Sequence, residues 1–374
     1  MTRSAVLSFL FFILLPGCSS RAVVTPAPYA LQGQWVVEAN GQVMLDPQTS
    51  GLSHWRGYLL TIADGSADIS QQRRWLRLLP GSAAVEAQKW VFDMQPAVET
   101  SCFREYLTTE PDYEAIVVDP DDDRVFYLVT EDASRTTPLS GECAERFGDT
   151  GSTDYPTLLV RLQVDESRQK VSLTHVRPLY FAPQLAIGDF PNDGIEGLAM
   201  GPDRTLYLGL EKDAHGNARI LSVPMDPQFW QSSDFIAVQD PGFVLPSFNG
   251  GRHPINGLEH FAYQGREYLL AVARNDDELW LVDIQKRQTV QRINLQFMTP
   301  PHPEQGCISA QMMDNASLEG VAVVDGRVWL INDPWKVNYL KNVQCEGNRA
   351  RFERMAPLLF NMPLDPAWFQ GTSL

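Results

Sequence analysis

Basic residues are scarce in this chain: 30 Lys and Arg stand against 46 Asp and Glu, a formal net charge of −16. That balance argues against a nucleic-acid surface, which needs cations at the phosphates, and favours solubility or cation binding. Long apolar runs are missing beyond the first 15 residues, so no later segment approaches the length of a membrane-spanning helix. Amphipathic helical periodicity is nearly absent, which argues against a helical bundle. Several catalytic signatures are missing too: there is no G-x-S-x-G elbow, no Walker loop or dinucleotide fingerprint, and no H-E-x-x-H helix. Cysteines number five and none has C-x-x-C spacing, which leaves little support for a structural zinc site.

What is present begins with a targeting segment. Arg3 supplies a positive charge, Ala5 to Leu15 an apolar core, and Leu15-Pro16-Gly17-Cys18 sits where a cleavage site belongs. The segment resembles the lipobox of bacterial lipoproteins, which implies cleavage after residue 17, acylation of Cys18, and a membrane contact made through lipid. Ser19 following the cysteine implies, by the same resemblance, the periplasmic face of the outer membrane. The expected organisation is a signal over 1–17, a lipidated N-terminus and tether over 18–33, and one domain over 34–374. The four remaining cysteines suit an oxidising compartment and read as two bridges. Cys102 with Cys143 and Cys307 with Cys345 is the favoured pattern, because each of those pairs is separated by less than one repeat interval; two other connectivities stay open.

The repeat is the strongest signal in the chain. Tyr113-Glu114-Ala115-Ile116-Val117, Ile195-Glu196-Gly197-Leu198-Ala199, Leu258-Glu259-His260-Phe261-Ala262 and Leu318-Glu319-Gly320-Val321-Ala322 open nearly identical segments, with Ser50-Gly51-Leu52-Ser53 as a weaker copy. The intervals from Ser50 through these glutamates are 64, 82, 63 and 60 residues, the spacing of a repeat architecture. Each copy reads as strand, turn, strand: Pro and Asp mark turns such as Gly201-Pro202-Asp203-Arg204, and β-branched or aromatic residues mark the strands. A β-meander that cannot cover its own faces must stack on copies of itself, and radial closure does this while leaving few open edges. The sequence therefore predicts an all-β protein, a β-propeller of four-stranded antiparallel blades. Five blades are expected, or six if the 82-residue interval hides another. Gln34 to Glu38 is placed as the missing outer strand of the last blade, and Ala133 to Tyr155 as a polar loop.

Strand order turns this repeat into a site hypothesis. In an antiparallel hairpin the start of the first strand lies beside the end of the second. Glu114, Glu196, Glu259 and Glu319 should then gather at one mouth of the channel, with Asp64, Asp132, Glu211, Asp276 and Asp333 just outside them. Carboxylates crowded into a partly dry funnel need compensation. A hard cation with oxygen ligands is one answer, and Ca²⁺ fits these residue types; internal bases are the other. A repeated glutamate can also serve structure alone, by accepting backbone N–H groups of the next blade.

Those blade openings resemble the phytase-like and SdiA-regulated β-propeller proteins, over roughly residues 45 to 335. The resemblance implies a propeller with calcium at its mouth and an esterase-like activity. The chain departs from true phytases in lacking a dense basic cluster: Lys212, Arg252, Arg274 and Lys336 are spread over separate loops as candidate substrate-binding groups. Metal-assisted hydrolysis of a small ester, lactone or phosphomonoester is the expected reaction, with a carboxylate or histidine as base. His253 in its interblade loop is the candidate base, whereas His260 alternates into the blade packing. Trp230, Trp335 and Trp368 lie in loop-like contexts where a ligand face could stack. The competing expectation is a non-catalytic envelope propeller that offers its mouth to another protein or to cell-wall material.

Overall fold

The computed structural model describes residues 27–109, 111–131, 133, 136–188 and 194–370. Its strands form five sheets, and the first strand of each touches the first strand of the next until the last meets the first again. The protein is a five-bladed β-propeller. The inner strands are Thr49–Trp55, Tyr113–Val118, Ile195–Met200, Ile255–Tyr263 and Leu318–Val324, and each pairs antiparallel with the strand that follows it. Three of the hairpins turn on a residue pair with two positive φ angles, Arg56-Gly57, Gln264-Gly265 and Asp325-Gly326. Such turns match the right-handed twist of the strands they join.

Blade 5 is closed by the other end of the chain. Gln34–Trp35 pairs antiparallel with Leu358–Leu359, so the ring is locked by backbone hydrogen bonds between the two ends, as the missing outer strand required. Tyr29–Gln32 adds in parallel to the outside of blade 4. Blade 3 has three strands, and its fourth position is reduced to a bridge between Ser222 and Gln239. The loop expected between Ala133 and Tyr155 contains the short helix Gly141–Phe147. That helix carries Cys143 to its bridge with Cys102, and Cys307 is bridged to Cys345. The strand expected from Arg351 starts later, at Leu358, because Arg349–Glu353 is helical.

Apolar layers between blades hold the ring. Leu52, Ile116, Leu198, Leu258 and Val321 occupy the same place in their inner strands and are at most 3% exposed, each contributing about 1.5–3 kcal/mol by burial. Close to the axis there is room for almost nothing. A Cβ built on Gly320 would lie 2.7 Å from the carbonyl carbon of Gly51 in the next blade, and Gly51 itself has φ +65°. Glycine is required there because backbone meets backbone.

Candidate metal centre at the propeller mouth

Every inner strand carries a register shift near its start: between Tyr113 and Ala115, Ile195 and Gly197, Leu318 and Gly320, Ile255 and Leu258, and Ser50 and Ser53. A bulge re-aims the extra side chain. Glu114, Glu196 and Glu319 are the unpaired residues and are thereby turned into a cavity of about 400 Å³ at the channel mouth, which Ser50, still paired with Ile62, also lines. The residue following each second strand arrives beside it, held by a repeated backbone bond: Asp64 N–H to Gln48 O, Glu131 to Asp112, Glu211 to Gly194 and Asp333 to Ser317, at 2.8–3.1 Å. Asp64, Glu131 and Asp333 line the same cavity, together with Asp112 and Arg274.

The convergence expected from the sequence is therefore present, with one correction in blade 4. Glu259 does not reach the mouth. The bulge there spans Asn256 and Gly257, so Ile255-Asn256-Gly257-Leu258 is the true counterpart of Ile195-Glu196-Gly197-Leu198. Glu259 lies three residues further along, about 10 Å at strand rise. Its carboxyl accepts the Val323 N–H of blade 5 at 3.3 Å, the stapling role weighed for a repeated glutamate, and burial pushes its pKa up to about 8. Asp276 is displaced by the same slip. The residue after the second strand of blade 4 is Arg274, while Asp276 bonds His253 at 2.8 Å outside the mouth. Asp132 lies outside the described residues, as does Cys18. Glu131, Asp112 and Ser50 line the mouth and were missed by the sequence reading, as was Asn256, fully buried with its amide on Glu211. The apolar-x-Gly-apolar pattern that Asn256 shares with Glu196 and Glu319 was the available signal.

Two triads of carboxylates converge on one residue: ligand atoms of Asp64, Asp112 and Glu114 lie within 4.8 Å of one another, and so do those of Glu114, Glu131 and Glu196. Ser50 Oγ donates to Glu114 at 3.2 Å, Gly65 N–H to Asp112 at 2.8 Å, and Gly194 N–H to Glu131. Desolvation by burial, followed by repulsion from neighbouring carboxylates, pushes Asp64, Glu114, Glu131 and Glu196 well above the usual carboxylate range. Burial raises Glu319 in the same direction against the pull of Arg274, and lifts Asp333 to about 7. Among the described residues around Arg274, the enclosed oxygens Asn256 Oδ1, Glu319 Oε2 and Asp333 Oδ1 have no hydrogen-bond partner. Buried oxygen atoms left unpaired in this way are what a bound cation would satisfy. The donor set, all carboxylate, amide and hydroxyl oxygen, fits a hard ion such as Ca²⁺.

A second cavity of about 400 Å³ adjoins the mouth and shares Arg274 and Trp335 with it; Lys212, Arg252 and His253 line it too. Three of the four candidate substrate-binding cations thus meet there. The fourth, Lys336, pairs with Asp46 at 2.9 Å. His253 has an oxygen on each ring nitrogen, Asp276 Oδ1 on Nδ1 and Gly250 O on Nε2, both at 2.8 Å, and stacks on Phe248. It offers no free lone pair to a substrate in this arrangement. His260 pairs across the strand with Glu267. Trp368 is core, 6% exposed, and Trp230 stacks on Tyr127, which leaves Trp335, 40% exposed at the mouth, as the aromatic face.

Fold and site define a propeller with an acidic mouth. No family model matches the chain, and no curated protein matches it. Solved structures similar to it include the major allergen Mala s 1 of Malassezia sympodialis, at 9% identity and TM-score 0.45 over 86% of this chain and 95% of that one. A GH43_1 enzyme from Xanthomonas citri is 11% identical, with TM-score 0.43 over 91% and 93%. The GH32 β-fructofuranosidase of Bombyx mori is 11% identical, with TM-score 0.37 over 92% and 65%. Among the described residues no helix is long and apolar enough to cross a membrane.

Proposed function

We propose that the mouth holds Ca²⁺ and that the protein is a calcium-dependent hydrolase of small esters, lactones or phosphomonoesters, in keeping with its resemblance to phytase-like propellers. The observation that carries this reading is the pair of triads sharing Glu114, whose ligand atoms lie within 4.8 Å in each, beside enclosed oxygens with no partner. Asp64, Asp112, Glu114, Glu131 and Glu196 would hold the ion. Bound there, the cation supplies Lewis-acid polarisation of an acyl or phosphoryl oxygen. Arg274, Lys212 and Arg252 line the adjoining cavity and orient the anionic part of a substrate, while Trp335 offers a face for stacking. The base is a mouth carboxylate, since both nitrogens of His253 are engaged. We place the propeller domain from Tyr29 onward, earlier than the boundary at 34 expected from the sequence because Tyr29–Gln32 is a strand of blade 4, hung from acylated Cys18 on the periplasmic face of the outer membrane.

The engaged histidine also favours a second reading, a non-catalytic propeller that binds an envelope component. Chelated protein titrated with calcium in a calorimeter, then assayed on chromogenic esters, lactones and phosphomonoesters with and without calcium, separates the two. Calcium binding with calcium-dependent turnover supports the hydrolase. Binding without turnover on any substrate supports the second reading, and no binding at millimolar calcium removes the cation.

A further inference from the structure

Blade 4 breaks the chemical repeat at both of its mouth positions. Where other inner strands turn Ser50, Glu114, Glu196 and Glu319 inward, it carries Asn256. Where other second strands hand over to Asp64, Glu131, Glu211 and Asp333, it hands over to Arg274. Among the described residues that line the mouth, Arg274 alone is basic. Its Nη1 lies 2.5 Å from Glu319 Oε1 and 3.8 Å from Glu211 Oε1, and its Nε donates to Ser317 Oγ at 3.0 Å. Asn256 Nδ2 donates to Glu211 at 2.6 Å.

Acidic pressure is therefore relieved unevenly around the ring. Between blades 3 and 5 the blade 4 guanidinium already pairs with Glu211 and Glu319, in the fixed planar geometry that suits buried ion pairs. Near it stand the enclosed oxygens without partners, Asn256 Oδ1, Glu319 Oε2 and Asp333 Oδ1, an oxygen set of the kind that ligates a hard cation. The Glu114 triads are built from blades 1 to 3, and neither includes Glu211 or Glu319, the two carboxylates that Arg274 pairs with.

We propose that Arg274 is a resident cation occupying the place of a second divalent ion, which confines metal to the side of blades 1 to 3. The proposal rests on the calcium reading above. A one-sided ion next to a fixed guanidinium makes the mouth an acceptor for an anion bridging the two, rather than a symmetric metal cluster.

Calcium calorimetry on the chelated native protein and on Arg274→Gln tests it, with circular dichroism as the check on folding. The variant should bind one more calcium per chain than the native protein, and millimolar guanidinium chloride should suppress that additional ion. Equal stoichiometry in the two proteins overturns the proposal. A native protein that binds no calcium removes the reading above; Arg274→Gln then taking up one ion still upholds the role of the arginine, and taking up none overturns it. Where Arg274→Gln fails to fold, Asn256→Glu carries the test. With Arg274 in place it should keep the native stoichiometry despite its added carboxylate, and a further ion would refute the idea.

Discussion

Replacing Glu259 by Gln isolates the one repeat glutamate that the fold uses as a staple. The carboxyl accepts Val323 N–H at 3.3 Å, and burial raises its pKa from 4.5 to about 8. A raised acid means that the native state keeps a proton over a pH range in which the unfolded chain has released it. Stability from this group is thus full below about pH 4 and is lost as pH climbs through about 8. At about 1.4 kcal/mol per pH unit the displacement sets a ceiling of about 5 kcal/mol. The residue keeps some exposed surface, and charges in proteins respond as in a medium of dielectric about 20, so about 2 kcal/mol is expected. Gln keeps an oxygen for the Val323 N–H and never ionises. In urea unfolding the variant and native protein should coincide near pH 4 and diverge by about that amount at pH 9, with the variant the more stable. Its calcium affinity should stay within about twofold of native, because Glu259 stands away from the mouth. Unfolding curves that run parallel from pH 4 to 9, or a calcium affinity lost with the substitution, would refute both the staple and the corrected register.

Glu114→Gln removes the carboxylate shared by both triads and should weaken calcium binding at least about tenfold by calorimetry, since affinity follows ligand charge. His253→Asn should leave the rate on any hydrolysed ester unchanged, because neither ring nitrogen is open to substrate. Gly320→Ala forces a Cβ to 2.7 Å from the backbone of Gly51 and should destabilise the ring by about 1–3 kcal/mol, read as a lower urea midpoint. Removing the Cys307–Cys345 bridge, whose partners are 38 residues apart, by replacing both cysteines with Ala should cost about 4 kcal/mol by loop entropy, measured as urea unfolding of the variant against the native protein without reductant.

The repeat made the architecture legible because each blade buries the same positions. Leu52, Ile116, Leu198 and Val321 recur at a fixed offset from the bulge, and an apolar residue that must pack between blades leaves a periodic trace in the chain. The closing strand at Gln34–Trp35 was legible for a related reason, since the last interval lacked an outer strand and an unpaired edge is costly. Both bridges followed from short separations between cysteine partners. Glu259 was misassigned because Leu-Glu looks like the opening of a blade in one dimension. What separates it from Asn256 in the fold is a bulge, a hydrogen-bonding event between two strands, which the glycine after Asn256 alone hinted at in the sequence.

By itself, then, the sequence determined that this protein is a ring of β-meanders with acidic residues at the strand ends, because burial and turn chemistry act locally and repeat. Which of those acids meet was decided by the tertiary structure. Closure brought Asp64, Asp112, Glu114, Glu131 and Glu196 from three blades into two touching triads, and it set Arg274 against Glu319. These distances depend on strand register and on how closely glycines let the inner strands approach the axis, quantities fixed when the ring closes.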